Sequence, residues 1–248
     1  MAPPGGLDTI SGVLPAYNEE ENVETATRRM AEVFDSLGFR EWEIIIVDDG
    51  SVDRTGEIAD RLRGEDPRIR VFHHNPNEGY AKALRTGFSN SRYGLIFYTD
   101  SDNQFDVSEL SNLLPLIQDC DIVNGFRIYR FDPLTRLVLS WGFNLIVRVV
   151  FGIKVRDIDC AFKLFRREVF DKVTIESKKF FVDAEVLAKA EHYGFRMKEI
   201  GVRHYPRPAG RSTVRPSHIP ATLAELWRIW FSIHVRPRRK KTSDDGDK

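Results

Sequence analysis

The segment Glu43-Ile44-Ile45-Ile46-Val47, followed at once by Asp48-Asp49-Gly50-Ser51, constrains this chain more than any other stretch. A continuous β-branched run without polar alternation suits a strand buried on both faces. Such strands belong to parallel sheets covered by helices on each side. A buried strand that ends in two carboxylates and a Gly-Ser turn sets acid at the carboxyl edge of the sheet, where open α/β sheets bind ligands. Taken alone, the motif is equally well met by a strand-to-helix turn in which Asp and Ser cap the backbone.

The surrounding pattern decides the fold class. Strands are expected at Ile10–Pro15, Glu43–Val47, Ile69–His73, Leu95–Thr99 and Ile122–Asn124. Helices are expected at Glu19–Leu37, Thr55–Arg63, Gly79–Ser89 and Val107–Gln118. Strand and helix alternate, which predicts an α/β fold with a mostly parallel sheet flanked by helices. Three segments then fall at strand carboxyl ends: PAYNEEE, DDGS and DSDNQ. With 248 residues, 42% of them apolar, the chain has material for one domain of generous size. Its two cysteines, Cys120 and Cys160, exclude a disulfide scaffold and a CxxC zinc or redox site. They are expected as small buried residues. The opening MAPPGGLDT has no apolar run of the kind a secretory signal needs, so none is expected.

Asp100-Ser101-Asp102 carries the sharpest chemistry. It follows the apolar strand LIFYT. Two carboxylates one residue apart at a strand end can share a hard divalent cation, with water and substrate phosphate as its other ligands. A lone DxD is a weak sign, because surface Asp pairs are common. After a buried strand, and downstream of DDGS at a second strand end, it is much stronger.

LPAYNEEENV, IIIVDDGSVDRT, NEGYAKALRTGF, YTDSDNQFD and DIDCAFKLFR occur in this order. In them the chain resembles a family 2 glycosyltransferase of the GT-A (Rossmann-like) fold, and within it the dolichyl-phosphate or polyprenyl-phosphate sugar synthases. The resemblance covers roughly residues 8–215, with a basic tail and amphipathic helix in 216–248. It implies an inverting transfer of a hexose from a UDP- or GDP-linked nucleotide diphosphate sugar, with Mg2+ or Mn2+. By the resemblance, Pro15, Ala16, Tyr17 and Glu19 surround the nucleotide, Asp49 contacts its base or ribose, and Gly50 and Ser51 form the turn. Gly79 and Lys82 lie beside the nucleotide. Asp100, Ser101 and Asp102 form the diphosphate and metal motif, with Gln104 as a third metal-side position. Asp102→Ala is expected to fold and to be inactive.

An acceptor phosphate is already ionised and needs a cradle, whereas a hydroxyl acceptor needs a general base. The resemblance implies that Arg127, Arg136 and Ser140 hold a polyprenyl phosphate. Arg136, Ser140, Asn144 and Arg148 recur every four residues through the apolar stretch Leu137–Ile153, making a polar stripe on a helix. That stripe faces either the active site or, in a plain core helix, solvent. At 17 residues, the apolar stretch is short for crossing a bilayer. In DIDCAFKLFR, Asp157 aligns with the family acid, Asp159 is its neighbour, and Ala161 stands where the family has Gly. Asp183 and Glu185 in FFVDAE remain open as base, structural acid or sugar-hydroxyl ligand. Arg207 and Arg211, in RHYPRPAGRSTV, either close over a phosphate or form a solvated basic loop. His204 lacks a His or Cys at ligand spacing and is expected to pack in its loop.

The net charge is 0, yet residues 203–241 hold ten basic residues against the single acid Glu225. The apolar helix expected at Ala221–Val235, with Trp227, Trp230 and Phe231 on one face beside Arg236, Arg238, Arg239, Lys240 and Lys241, suits a membrane surface; docking on the core is the alternative. A cytoplasmic enzyme peripheral to the inner face is therefore expected, alone or with a separate integral membrane partner. No nucleic-acid recognition motif accompanies the basic residues. The rival activities are transfer to a hydroxyl of a glycan, lipid or protein, and a nucleotide-sugar-binding subunit that has lost catalysis.

Overall fold

The computed structural model describes residues 7–128, 134–177, 181–206 and 219–234; side chains at 134–139, 219–224 and 234 lie outside it. Seven strands form one sheet: β1 Thr9–Ala16, β2 Glu41–Asp48, β3 Ile69–His73, β4 Leu95–Thr99, β5 Ile122–Arg127, β6 Phe162–Arg166 and β7 Met197–Val202. Their order is β3-β2-β1-β4-β6-β5-β7. β3, β2, β1 and β4 are mutually parallel. β6 is inserted antiparallel between β4 and β5, and β7 runs parallel to β5. The helices are α1 Val23–Leu37, α2 Thr55–Glu65, α3 Tyr80–Asn90, α4 Leu110–Leu113, α5 Leu134–Phe151, α6 Glu168–Lys172, α7 Val182–His192 and α8 Ile219–His234.

The central strands bury nearly every residue: Ile44, Ile45, Ile46 and Val47 are all fully covered, as the apolar run requires. Gly12 lets α1 close on β1, because a Cβ there would meet Met30 Sδ at 2.3 Å. Register sets Ala16 of β1 beside Asp48 of β2, so the carboxyl ends of these strands finish level.

Three expected elements differ. α1 begins at Val23, after the three glutamates of its expected first turn. The backbone of Glu19 donates to Thr55 Oγ1 at 2.8 Å and that of Glu20 to Asp53 at 3.2 Å, so these residues belong to a turn. Val107–Gln118 is not one helix: α4 lies between two 3₁₀ turns, and Pro115, which lacks an N–H, precedes the second. The expected polar stripe of α5 does not stay on one side. Asn144 is buried and its Oδ1 accepts from the Ile158 amide at 2.8 Å, whereas Arg148 is exposed.

Around Arg148 the exposed side of α5 is largely apolar, with Trp141 68% and Val149 75% exposed and Leu145 between them. On α8, Leu226 and Ile229 are buried while Trp227 and Phe231 face solvent. Of the aromatic residues expected on one face, Trp227 and Phe231 are exposed and Trp230 is half-buried. Among the described residues no helix is long and apolar enough to cross a membrane.

Candidate active site

The acidic loops at the carboxyl edge are sewn together by short hydrogen bonds. The Asp49 amide donates to Ala16 O at 2.9 Å. Ser101 Oγ donates to Pro15 O at 2.8 Å. The Asn18 amide donates to Ser51 Oγ at 3.0 Å, and Asn18 Oδ1 accepts from the Val52 amide at 2.9 Å. PAYN, DDGS and DSD therefore form one rigid edge. Tyr17 lies open at 38% exposure. Glu19 is turned inward and accepts from Asn22 Nδ2 at 2.7 Å. Ser101 departs from the expectation of a nucleotide contact: it is 2% exposed and holds the β1 turn.

Asp48 and Asp49 divide their work. Asp48 accepts from the Ser51 amide and pairs with His73. Asp49 takes three donors from the segment before α3: His74 Nδ1 at 2.7 Å, the Glu78 amide at 3.0 Å and the Gly79 amide at 2.8 Å. Gly50 sits at φ 71°, and a Cβ there would lie 2.6 Å from the Asn77 amide nitrogen. Only glycine allows DDGS and that segment to touch. Gly79 adopts φ 92° before α3, and Lys82 is half-exposed, 3.7 Å from Glu78.

Asp100 accepts from Tyr80 Oη at 2.9 Å, and Tyr80 also hydrogen-bonds Tyr98. Burial, and next the adjacent Asp102, push the Asp100 carboxyl up to about 8, against the hydrogen bond from Tyr80. Asp102 is buried at 5% and its Oδ1 accepts from the Gln104 amide. Gln104 Nε2 donates to Tyr205 O at 3.0 Å, tying this loop to the segment after β7. Two carboxylates one residue apart, one of them held up by its neighbour, are a donor set suited to a hard divalent cation completed by phosphate and water. Among the described residues no three His, Cys, Asp or Glu side chains gather at metal-holding distance.

Behind this edge lies a second group on β5, the loop before β6, β6 itself and α7. Arg127 and Asp157 form a buried fork, both bonds 2.7 Å. Burial opposes the Arg127 charge, but the Asp157 hydrogen bonds outweigh it and raise its pKa. This departs from the expected acceptor-phosphate role, since two of the guanidinium nitrogens already serve Asp157. Lys163 Nζ binds Asp183 at 2.7 Å and also the Cys160 carbonyl. Glu185 is fully buried and accepts from the Glu176 and Ser177 amides and from Lys189 Nζ. Of the three roles left open for Glu185, the geometry gives it the structural one.

Asp159, the sequence neighbour of Asp157, is the carboxylate here with no hydrogen bond or ion pair among the described residues, and it is partly exposed. Burial, then Asp183 and Asp157, push it up to about 7. The signal was present in the sequence: DID offers two acids, and Arg127 can grip one. Ser140 is half-buried on α5. The side chain of Arg136, and all of Arg207 and Arg211, lie outside the described residues. A cleft of about 480 Å3 lined by Arg29, Glu32, Asn103, Phe105, Asp106 and Tyr205 shares no residue with the carboxylates.

The model of the family described as "Glycosyl transferase family 2" matches residues 11–174. Glycosyltransferase AglD of Haloferax volcanii is 35% identical over 240 residues, 92% of this chain; the chain spans 38% of that relative's length. Polyprenol monophosphomannose synthase of Mycolicibacterium smegmatis is 30% identical over 232 residues, 88% of this chain and 86% of the relative. Among solved structures, glucosyl-3-phosphoglycerate synthase from Mycobacterium tuberculosis, in complex with Mn2+, UDP and glucosyl-3-phosphoglycerate, superimposes with a TM-score of 0.68. That match covers 93% of this chain and 81% of the other at 21% identity, a likeness of fold.

Proposed function

The chain belongs to glycosyl transferase family 2, a glycosyltransferase of GT-A-like fold, and on that footing we propose that it moves a hexose, with inversion, from a nucleotide diphosphate sugar to a polyprenyl phosphate. The observation that carries this reading is the Asp100–Asp102 pair at the end of β4, where burial and mutual repulsion drive Asp100 up to about 8. Mg2+ or Mn2+ bound there would offset the negative charge that grows on the departing β-phosphate. Asp102 and Asp100 would hold the ion, with the Gln104 side chain nearby. Pro15, Ala16, Tyr17 and the Gly50-Ser51 turn would form the nucleotide floor, and Asp49 would fix the segment before α3 against it. Lys82, half-exposed, would add positive charge beside the diphosphate. The catalytic domain is assigned to 8–215 and an accessory segment to 216–248.

The acceptor follows from chemistry and from kinship. A phosphate nucleophile needs no base, and in Asp49, Asp157 and Glu185 both carboxylate oxygens already accept hydrogen bonds within the protein. The polyprenol-phosphate relative shares 86% of its length with this chain. Ser140 and Arg136 on α5, with Arg207 and Arg211, would cradle the lipid phosphate. The exposed Trp141, Val149, Trp227 and Phe231 support contact with a membrane, and the basic residues after 235 favour an anionic cytoplasmic face. A separate integral partner would then use the product. Nucleic acid has no place in this reading.

Asp159 favours a second reading, transfer to a hydroxyl, because a partly exposed carboxylate without a partner and pushed up to about 7 suits a general base. Incubation with radiolabelled UDP- and GDP-sugars, Mn2+, polyprenyl phosphate and a panel of glycan acceptors separates the two. The proposal expects label in an acid-labile lipid phosphate ester. Label found solely on hydroxyl acceptors would replace it with the second reading.

A further inference from the structure

The three residues Glu78-Gly79-Tyr80 join two acids that come from different strands. The Glu78 and Gly79 amides bind Asp49 at 3.0 and 2.8 Å, and Tyr80 Oη binds Asp100 Oδ1 at 2.9 Å. The Tyr80 hydroxyl is itself held by the hydroxyl of Tyr98. Tyr98 is 1% exposed in β4, its ring packed edge-on against Phe88 with centroids 5.8 Å apart. Tyr98 and Asp100 are two residues apart, so they leave the strand on the same side. The chain of contacts thus runs from an immobile core aromatic, through Tyr80, to one oxygen of Asp100. No hydrogen bond among the described residues reaches the other oxygen, Oδ2.

We propose that Tyr80 is a positioning residue: its hydroxyl, braced by Tyr98, fixes the Asp100 carboxylate so that Oδ2 is presented to the divalent cation. The inference rests on the cation site proposed above. A carboxylate at the end of a strand is free to turn about its side-chain bonds. A donor on one oxygen removes that freedom before the ion arrives, so less ordering is left to be done on binding. Partners of this kind, one bond removed from the ion, are worth about 10–100-fold in metal affinity where they have been removed from other sites. Neither phenol needs to touch sugar, nucleotide or ion.

The test is Mn2+ binding followed by electron paramagnetic resonance, with saturating UDP, for the wild type, Tyr80→Phe and Tyr98→Phe. Phenylalanine keeps the ring and deletes the hydroxyl. Tyr80→Phe is expected to weaken Mn2+ binding about tenfold, and Tyr98→Phe to weaken it less, by at least about twofold on the same ground. UDP affinity in EDTA and the far-ultraviolet circular dichroism should match the wild type. In turnover, the Mn2+ concentration for half-maximal rate should rise while kcat at saturating Mn2+ stays within about threefold, a split that a purely structural role would not produce. Equal Mn2+ affinity in wild type and Tyr80→Phe overturns the role of Tyr80 and leaves the cation site standing. Absence of Mn2+ binding to the wild type overturns both. If Tyr80→Phe does not fold, Tyr98→Phe decides: unchanged Mn2+ affinity there contradicts the brace.

Discussion

Carboxylates near the candidate site differ in what already holds them. Asp157 grips Arg127, Asp183 grips Lys163, and Glu185 caps two backbone amides and a lysine. Breaking such buried pairs exposes the remaining charge to a poor environment, so their loss is expected to be a folding defect before it is a catalytic one. Asp159 is the contrast, because nothing among the described residues pairs with it and its carboxyl is pushed up to about 7. The unfolded chain releases this proton near 3.8, the folded chain near 7. Between those values the folded state binds more protons, so stability falls as pH rises through the window. Asp159→Asn removes that loss. Thermal unfolding at pH 8 should show the variant above the wild type by ~2–4 °C, the shift that about 1 kcal/mol makes in a chain of this size. The gap should shrink towards pH 4. A gap that does not change between pH 4 and pH 8 would count against a proton-holding Asp159.

At the scale of elements, Gly50 is where the second acidic loop meets the segment before α3. Its φ of 71° and the 2.6 Å approach to Asn77 leave no room for a methyl group. Gly50→Ala should cost about 1–2 kcal/mol from the left-handed backbone alone, and more from the displaced segment. Urea unfolding measures the first effect and UDP titration the second; an alanine variant with native stability and affinity would show that this contact is not needed. β2 and β4 are legible because each is an apolar run ended by acids, β1 by its apolar residues before Pro15, and β3 by the alternation of Ile69, Val71 and His73 with Arg70 and Phe72 before Asn75-Pro76. β6 and β7 lie outside the strands the sequence pattern predicts. β6 carries Lys163 at its centre and pairs with β4 and β5 only through the antiparallel insertion, and five of the six residues of β7 are merely half-buried. β6 is buried over four of its five residues all the same, but in sequence its charge at Lys163, like Lys198 and Glu199 in β7, breaks the uninterrupted apolar run that marks β2 and β4. The start of α1 was misplaced because acid near a helix start and acid in a turn look alike in sequence. What separates them is the pairing with Asp53 and Thr55, more than thirty residues away. DDGS and DSD were legible as site motifs, whereas the engagement of Arg127 by Asp157, and the solitude of Asp159, depend on which of two acids the guanidinium meets across the sheet.

For the molecule as a whole, the sheet edge gathers acid, the exposed sides of α5 and α8 carry Trp141, Leu145, Val149, Trp227 and Phe231 beside Arg148 and Arg228, and the chain beyond 235 is basic. An enzyme arranged this way should float with vesicles containing anionic lipid and detach as salt rises. Trp141→Glu combined with Trp227→Glu should abolish flotation without loss of UDP affinity, and a variant that still floats would remove these side chains from the proposed contact. The central claim, that Asp100 and Asp102 hold a divalent cation against a nucleoside diphosphate, is most directly tested by locating Mn2+ in crystals grown with UDP, using its anomalous scattering. The account predicts one peak in bonding contact with Asp102 and with the diphosphate, and Asp100 Oδ2 turned towards it. A peak remote from both carboxylates, or UDP seated in the cleft beside Arg29 and Asn103, would contradict it.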